Sequence, residues 1–218
     1  MKRFDLFLKR AFDIVVSVVV LVIATVIPVM IVVPILIKLT SKGPAIYKQV
    51  RVGKDKKEFT LYKFRTMIVE RYDAHGNEIM SEQRINRFGK LLRKTSIDEL
   101  PQLFNVLNGT MSIVGPRPML DYQAPRCIGE ENLRFTVRPG LTGLAQIKGR
   151  NNIPWEQRIK YDIEYINNFS FWSDIVILFK TVLLVFKKTG TDVKPEYRGV
   201  DRFSKHYIPE NEEVETTS

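Results

Sequence analysis

The sequence predicts a membrane-associated α/β protein, in which one re-entrant N-terminal helix precedes a small domain with interfacial amphipathic helices. The first supporting observation is the apolar stretch from Ile14 to Ile37, which contains no charged residue. The second is the alternation of apolar and polar side chains from Phe59 to Met67, which is typical of a half-buried strand. The third is the helical spacing of apolar residues in segments 82–93, 155–168 and 171–188.

The apolar stretch corresponds to about 36 Å of helix, which is enough to cross a bilayer. Because basic flanks stay on the cytoplasmic side, a helix that enters and leaves by the same face suits basic residues at both ends. Pro28 predicts the necessary bend at Ile27 and Pro28, and the Thr25 hydroxyl is placed to bond a freed backbone group. A kinked single-pass anchor is the alternative. The flanking basic residues are Lys2, Arg3, Lys9 and Arg10 before the stretch and Lys38, Lys42, Lys48, Arg51, Lys54, Lys56 and Lys57 after it.

The charge balance points to anionic partners. The chain has 218 residues and a net charge of +10, so an anionic lipid surface is the first expected partner and a phosphorylated substrate the second. In the lead-in segment 4–10, Lys9 and Arg10 are expected to be available to lipid phosphates. No nucleic-acid-binding motif accompanies the charge, so no nucleic acid is expected as a partner. The distant His75 and His206 lack neighbours at metal spacing, which makes a zinc site improbable.

The remaining elements follow from local patterns. Strands are expected at 45–52 and 59–67, and helices at 82–93 and 100–107. Glycine and proline in the stretch 114–149 predict loops and short strands, and two helices then follow. The last of these helices either lies on the membrane or forms part of a core. The predicted organisation is a membrane helix at 1–45, a cytoplasmic domain at 46–190 and a loosely ordered, acidic tail at 191–218.

Two adjacent acids, Asp98 and Glu99, precede the helical pattern 100–107. Either Ser96 and Glu99 form a capping box, or Asp98 is the N-cap with Pro101 at the third position. In both arrangements the carboxylates lie at a helix N-terminus, where phosphate is also favoured. Adjacent helical residues point about 100° apart, so one acid can attack a bound group while the other holds a metal ion. For this motif alone, simple capping is the alternative.

Four ordered motifs behind the apolar helix carry a family resemblance. They are YKFRTM at 62–67, DELPQLFNVL at 98–107, GPRP at 115–118 and RPGLTG at 138–143. Together they resemble the bacterial sugar transferases that initiate surface-glycan assembly, the monotopic polyprenol-phosphate phosphoglycosyl transferases. The resemblance extends from about residue 4 to residue 190. One departure is Ile27 before Pro28, where family members often carry serine, and this places more demand on Thr25.

The resemblance implies transfer of sugar-1-phosphate from a UDP-sugar to polyprenol (undecaprenyl) phosphate, with Mg²⁺ and release of UMP. It implies that the domain at 46–190 is catalytic, that Asp98 is the covalent nucleophile of a two-step reaction and that Glu99 binds the metal. A carboxylate can attack phosphorus and leave again, which agrees with this assignment. The implied location is the cytoplasmic face of the bacterial inner membrane. A homodimer is compatible with the resemblance.

Six basic residues match basic positions in the family motifs and are the candidates for binding substrate phosphates: Lys63, Arg65, Arg93, Arg117, Arg138 and Arg150. Arginine forks suit phosphate oxygens, and proline on both sides of Arg117 restricts its backbone. Asp162 and Asp174 match acids in related sequences, with a helix-surface role as the alternative. The sequence does not identify the sugar. A non-catalytic, basic membrane scaffold and a one-step transferase remain as competing hypotheses.

Overall fold

A computed structural model describes residues 3–69, 72, 79–80, 83–149, 153–186 and 202–203. Within these residues the fold combines helices with two small sheets. The helices are α1 (Arg3–Val26), α2 (Val29–Thr40), α3 (Arg87–Thr95), α4 (Gln102–Leu107), α5 (Leu144–Gly149), α6 (Trp155–Asn167) and α7 (Phe171–Phe186). The strands are β1 (Ile46–Val52), β2 (Glu58–Phe64), β3 (Ser112–Val114) and β4 (Gly140–Thr142). The predicted mixture of helices and strands is therefore confirmed.

Two small sheets organise the strands, and the second of them brings the loop after β3 next to the 138–143 motif. Strand β1 pairs antiparallel with β2, so that Ile46 lies opposite Phe64. Strand β3 pairs in parallel with β4, and the Gly115 amide donates to the Thr142 carbonyl at 2.8 Å. A Cβ atom on Gly140 would lie 2.1 Å from the Gly115 nitrogen, so only glycine permits this approach. This contact joins the loop after β3 to the 138–143 motif.

Helices α1 and α2 form a bent pair at the predicted position. They break at residues 27–28 and their axes are bent by 61°, while Pro34 lies inside α2 without ending it. The Thr25 hydroxyl donates to the Leu21 carbonyl at 2.8 Å, and the Val32 amide donates to Pro28. Among the described residues, no single helix has the length and apolarity of a membrane span, whereas the two helices together have both.

The first half of α1 is joined to the domain by buried polar contacts. Asp13 is 2% exposed and accepts hydrogen bonds from the Ser112 hydroxyl at 2.7 Å and the Ile113 amide at 3.0 Å. Lys9 pairs with Asp174 and donates to a backbone carbonyl of β3. Arg10 donates to the last carbonyls of α4. The expectation that Lys9 and Arg10 serve lipid phosphates was therefore wrong, because protein groups engage both side chains.

Apolar residues from both helices of the bent pair, α1 and α2, complete the hydrophobic cores of the domain. Val16, Val20 and Leu21 of α1 pack against the cluster that contains Leu61 and Val106. Val33 and Ile37 of α2 belong to a second cluster, whose other members are Ala45, Phe64 and Leu92. Burial of Val33 and Ile37 supplies favourable free energy of about 1.5 to 3 kcal/mol each, and the partly buried Val16, Val20 and Leu21 supply less. The N-terminal helices and the remainder of the fold thus share one packed interior.

The acidic tail predicted from residue 191 lies outside the described residues, apart from Arg202 and Phe203. Phe203 is 1% exposed and belongs to a third hydrophobic cluster with Met119 and Phe135. The ring of Phe203 lies 5.8 Å from that of Trp155. The prediction of a loosely ordered tail therefore fails at Phe203, whose aromatic side chain has an apolar site in the domain.

Candidate active site

The two acids lie in a single 3₁₀ turn between α3 and α4. Ser96 adopts a left-handed conformation with φ of 57° and ends α3, and the turn Ile97–Glu99 follows it. Helix α4 begins only at Gln102, and its N-cap residue Pro101 provides no side-chain hydrogen bond. Both predicted capping arrangements were therefore wrong. The carboxylates of Asp98 and Glu99 are left for contacts with other parts of the fold.

Glu99 is held by two cations from distant parts of the sequence. Lys63 of β2 and Arg117 of the loop after β3 contact the same oxygen, Oε1, at 2.8 and 3.1 Å. Burial disfavours the charged carboxylate, but the charges of Arg117 and Lys63 prevail and lower the pKa of Glu99 to about 2. Burial also lowers the pKa of Lys63, against the opposing charge of Glu99. Glu99 is accordingly ionised throughout the physiological pH range.

Asp98 has a different electrostatic environment, although it is the adjacent residue. Its exposure is 8%, and burial together with the neighbouring Glu99 charge raises its pKa to about 6. The positive charges of Lys63, Arg93 and Arg117 oppose this increase. Carboxylates with pKa values moved in opposite directions are typical of sites in which two acids have separate chemical roles. Asp98 is the more basic of the two and the better suited to bond formation.

Asp98 and Glu99 line a cleft of 1280 Å³, whose other lining residues include many basic side chains. Arg93 donates from Nε to the Thr66 hydroxyl at 2.8 Å, and Arg65 donates from Nη2 to the Ser41 carbonyl at 2.9 Å. Such a lining favours an anionic ligand of nucleotide-sugar dimensions. The sequence-predicted candidates that line the cleft are Lys63, Arg65, Arg93, Asp98, Glu99 and Arg117.

The structure describes only one of the two remaining predicted phosphate ligands, Arg138 and Arg150. Arg138 is exposed and donates from Nε to the Gly109 carbonyl at 2.7 Å, and it is not among the described residues that line the cleft. Arg150 lies outside the described residues. Its role, like that of every candidate ligand, stays a prediction.

Several cleft residues were missed by sequence reasoning. Arg51, Arg84, Arg134 and Arg158 add to the basic lining, and Asp162 lies in the same wall. Arg134 lies between the GPRP and RPGLTG motifs and belongs to neither, while Arg51 was interpreted only as a basic membrane flank. Asp162 was singled out, and it forms an ion pair with Arg134 at 3.0 Å. These contacts join segments far apart in sequence, so no local pattern reveals them.

The donor groups fit the magnesium ion that the family resemblance implies. In phosphoryl-transfer sites Mg²⁺ is usually bound by one or two carboxylates together with substrate phosphates and water. Lys63 and Arg117 occupy Oε1 of Glu99, which leaves the other carboxylate oxygen for a metal. In the part of the chain that the structure describes, no three metal-binding side chains converge.

The pKa of Asp98 gives a pH test of the nucleophile role that the family resemblance implies for it. If Asp98 attacks phosphorus, only its ionised form can react, so kcat/KM for the nucleotide sugar is expected to fall about tenfold per pH unit below pH 6 and to level off above it. Stopped-flow measurement of nucleotide release between pH 4.5 and 8 checks this. Burial also raises the pKa of Asp162 to about 6. If the acidic limb disappears in Asp162→Asn, it belongs to Asp162 and the assignment to Asp98 is wrong.

A family profile and individual relatives all identify sequences similar to this chain as sugar transferases. The sequence profile described as bacterial sugar transferase matches residues 4–188. The uncharacterized sugar transferase EpsL of Bacillus subtilis (strain 168) is 45% identical over 183 residues, which are 84% of this chain and 89% of EpsL. A Klebsiella pneumoniae UDP-glucose:undecaprenyl-phosphate glucose-1-phosphate transferase is 42% identical over 187 residues, covering 82% of this chain and 40% of that enzyme.

A third relative carries a different sugar in its name. The UDP-N-acetylgalactosamine-undecaprenyl-phosphate N-acetylgalactosaminephosphotransferase of Aeromonas hydrophila is 42% identical over 193 residues, which are 84% of this chain and 45% of that protein. The chain thus spans most of EpsL but less than half of the Klebsiella and Aeromonas proteins. The profile match covers all four sequence motifs and the cleft residues that they contribute. The chain belongs to the bacterial sugar transferase family.

Proposed function

We propose that this protein transfers sugar-1-phosphate from a UDP-sugar to polyprenol (undecaprenyl) phosphate, releasing UMP and forming a polyprenyl-diphosphate-sugar. The observation that carries the proposal is the adjacent acid pair with separated pKa values in a basic cleft of nucleotide-sugar size. The names of the Klebsiella and Aeromonas relatives describe transfers between the same classes of donor and acceptor. Such a product would initiate capsule, exopolysaccharide or glycoconjugate assembly.

The proposed mechanism has two displacements at one phosphorus atom. First, the Asp98 carboxylate attacks the sugar-bearing β-phosphorus, and the bond to the bridging oxygen breaks as UMP departs with the electron pair. Then a phosphate oxygen of the polyprenol carrier attacks the same phosphorus, and the Asp98 carboxylate departs. Lys63 and Arg117 fix Glu99 and place positive charge beside the phosphoryl oxygens. A Mg²⁺ held by Glu99 would supply further positive charge when bound.

The partition of roles between the acids follows from their surroundings. Asp98 makes no ion pair with the described cations, so its lone pairs are not committed to a structural contact. Glu99 is committed, because two cations hold one of its oxygens. An acid fixed in this way is a poor nucleophile and a good ligand. This contrast supports Asp98 as the attacking group and Glu99 as the metal ligand.

The bent helix pair supports a re-entrant membrane segment at 1–45, with the catalytic domain at 46–190 on the cytoplasmic face of the bacterial inner membrane. The bend removes the straight path that a crossing helix takes, and its apex residues Val26 and Ile27 are 76% and 61% exposed. Helix α7 presents Trp172 and Phe179 to the exterior, at 74% and 65% exposure. Exposed aromatic residues on such a helix favour the lipid interface. Anionic lipids are the proposed membrane partners.

Membrane topology provides a direct prediction. Single cysteines at positions 2 and 42, in a Cys127→Ser background, should both react with a membrane-impermeant maleimide added to inside-out vesicles. Position 42 is exposed and Cys127 is buried, which makes the reporter selective. The re-entrant arrangement keeps both labels on one side, because α1 and α2 return to the face they entered. Labelling of the two positions from opposite faces would establish a crossing instead.

A UMP-release assay tests the proposed activity. Purified protein in lipid nanodiscs is supplied with undecaprenyl phosphate and, in turn, with UDP-glucose, UDP-galactose, UDP-N-acetylglucosamine and UDP-N-acetylgalactosamine. At least one donor should give UMP release that depends on Mg²⁺ and on the lipid acceptor. The panel is required because the named relatives use both hexose and N-acetylhexosamine donors. No turnover with any donor would favour the non-catalytic scaffold.

A further inference from the structure

The backbone that carries Arg117 is held at four consecutive carbonyl groups. Each carbonyl from Pro116 to Met119 accepts a hydrogen bond from outside the segment. The donors are the Gly140 amide to Pro116 at 2.8 Å, Arg134 Nη2 to Arg117 at 2.8 Å, Arg51 Nη1 to Pro118 at 3.1 Å and the Val52 amide to Met119 at 3.0 Å. This arrangement fixes the path of the chain through the cleft wall.

Arg134 is the donor that bonds the Arg117 carbonyl itself, and it is fixed in turn by Asp162. The same Nη2 atom lies 3.0 Å from the Asp162 carboxylate, and the two side chains are only 2% and 3% exposed. The guanidinium also lies 5.9 Å from the Trp155 ring. Water competes poorly for such a buried pair, so the direction of the Arg134 donor is well defined.

The side chain of Arg117 depends on this backbone support. It is 42% exposed, and it donates from Nη2 to Oε1 of Glu99 at 3.1 Å. The φ angles of Pro116 and Pro118 are restricted, so the backbone on either side of Arg117 has little freedom. The position of the Arg117 Cα atom is therefore set by the hydrogen bonds to the carbonyls of residues 116–119. A displacement of about 1 Å at such a point is enough to reduce turnover about a hundredfold.

We propose that Arg134 and Asp162 form a positioning pair, which aims Arg117 at Glu99 by fixing the Arg117 carbonyl. The inference rests on the proposed function, because it assigns the pair an effect on the same phosphoryl transfer. Neither residue needs to touch the substrate. Their effect on turnover passes through Arg117 and is therefore lost when Arg117 has no functional side chain.

A double-mutant cycle tests this dependence. Arg134→Met retains the aliphatic stem and removes the donor, and UMP release should fall on the order of 10- to 100-fold. In an Arg117→Ala background, the same substitution should change the rate less than about twofold, since the group being aimed is absent. Arg134→Lys, which keeps a charged donor, should recover part of the loss. The matched control is Arg202→Met, which breaks the ion pair between Arg202 and Glu131. Glu131 lies on the same 3₁₀ segment as Arg134, Gly129–Thr136.

Asp162→Asn provides a second cycle should Arg134→Met not fold, as judged by its melting temperature in the same nanodiscs. It keeps the donor of Arg134 and weakens its orientation, so a smaller loss with the same dependence on Arg117 is expected. Suppose that the wild-type protein releases UMP, but that the substitution at position 134 or 162 reduces the rate by the same factor with and without the Arg117 side chain. That result would overturn the positioning inference and leave the proposed function standing. An Arg117→Ala variant with wild-type turnover would also overturn the positioning inference. A wild-type protein that releases no UMP overturns the proposed function as well.

Discussion

Replacement of Asp98 by asparagine is expected to reduce UMP release by about three orders of magnitude or more, while the protein remains folded and bound to the membrane. The carboxamide has nearly the same shape as the carboxylic acid but is a far weaker nucleophile. Since burial raises the pKa of Asp98 to about 6, its neutral form is already accommodated, and loss of the charge should not destabilise the fold. Single-turnover release of UMP from UDP-sugar measures the effect.

The control for this substitution is Glu130→Gln, which removes one negative charge from an exposed position on the 3₁₀ segment 129–136. Its UMP release should stay within about twofold of wild type. Mass spectrometry of the wild-type protein, quenched with UDP-sugar and without lipid acceptor, should detect a sugar phosphate attached to Asp98. Full turnover by Asp98→Asn would contradict the nucleophile assignment. Turnover without any adduct would favour transfer in one step.

Replacement of Glu99 by glutamine is expected to cause the second largest loss, on the order of 100-fold or more in kcat. The amide leaves the charges of Lys63 and Arg117 without their common partner and offers a metal one neutral oxygen. Breaking such a partly buried network should also lower the free energy of unfolding by roughly 1 to 3 kcal/mol. UMP release and thermal unfolding in the same nanodiscs measure the two effects.

The residual activity of Glu99→Gln is expected to have a changed pH dependence. The Glu99 charge raises the pKa of Asp98, whereas Lys63 and Arg117 lower it, so removal of that charge should move the acidic limb of kcat/KM below pH 6. Glu131→Gln is the matched control, because Glu131 also pairs with an arginine and its side chain is 20% exposed against 22% for Glu99. An unchanged acidic limb in Glu99→Gln would show that Glu99 does not influence the nucleophile.

Local patterns in the sequence predicted the elements whose causes are local. The bend at Ile27 and Pro28 follows from a missing amide hydrogen, and the structure contains it. The strand that carries Lys63 was predicted from alternation, and the adjacent acids were recognised as a motif. The capping prediction failed because Ser96 takes a left-handed conformation that ends one helix before the next begins. A sequence pattern for capping does not report such a break.

Contacts between distant segments account for what sequence reasoning missed. Asp13 belongs to the first helix, yet its partners Ser112 and Ile113 lie in β3. Arg134 gave no local signal, although it contacts both the loop of Arg117 and the helix of Asp162. Each contact depends on tertiary packing that brings separate elements together. The motif at 98–107 could be recognised from its order of residues, whereas the wall that supports it could be recognised only in three dimensions.

The burial of Asp13 limits how this protein can be prepared. A chain shortened to begin after α2 would lose the acceptor for the Ile113 amide and expose the apolar surface that Val16, Val20 and Leu21 cover. Deleting the hydrophobic N-terminus, a common route to a water-soluble fragment, would therefore remove part of the interior rather than a detachable tether. If the helix pair enters the bilayer as proposed, purification of an intact fold requires a detergent or lipid that accommodates both helices.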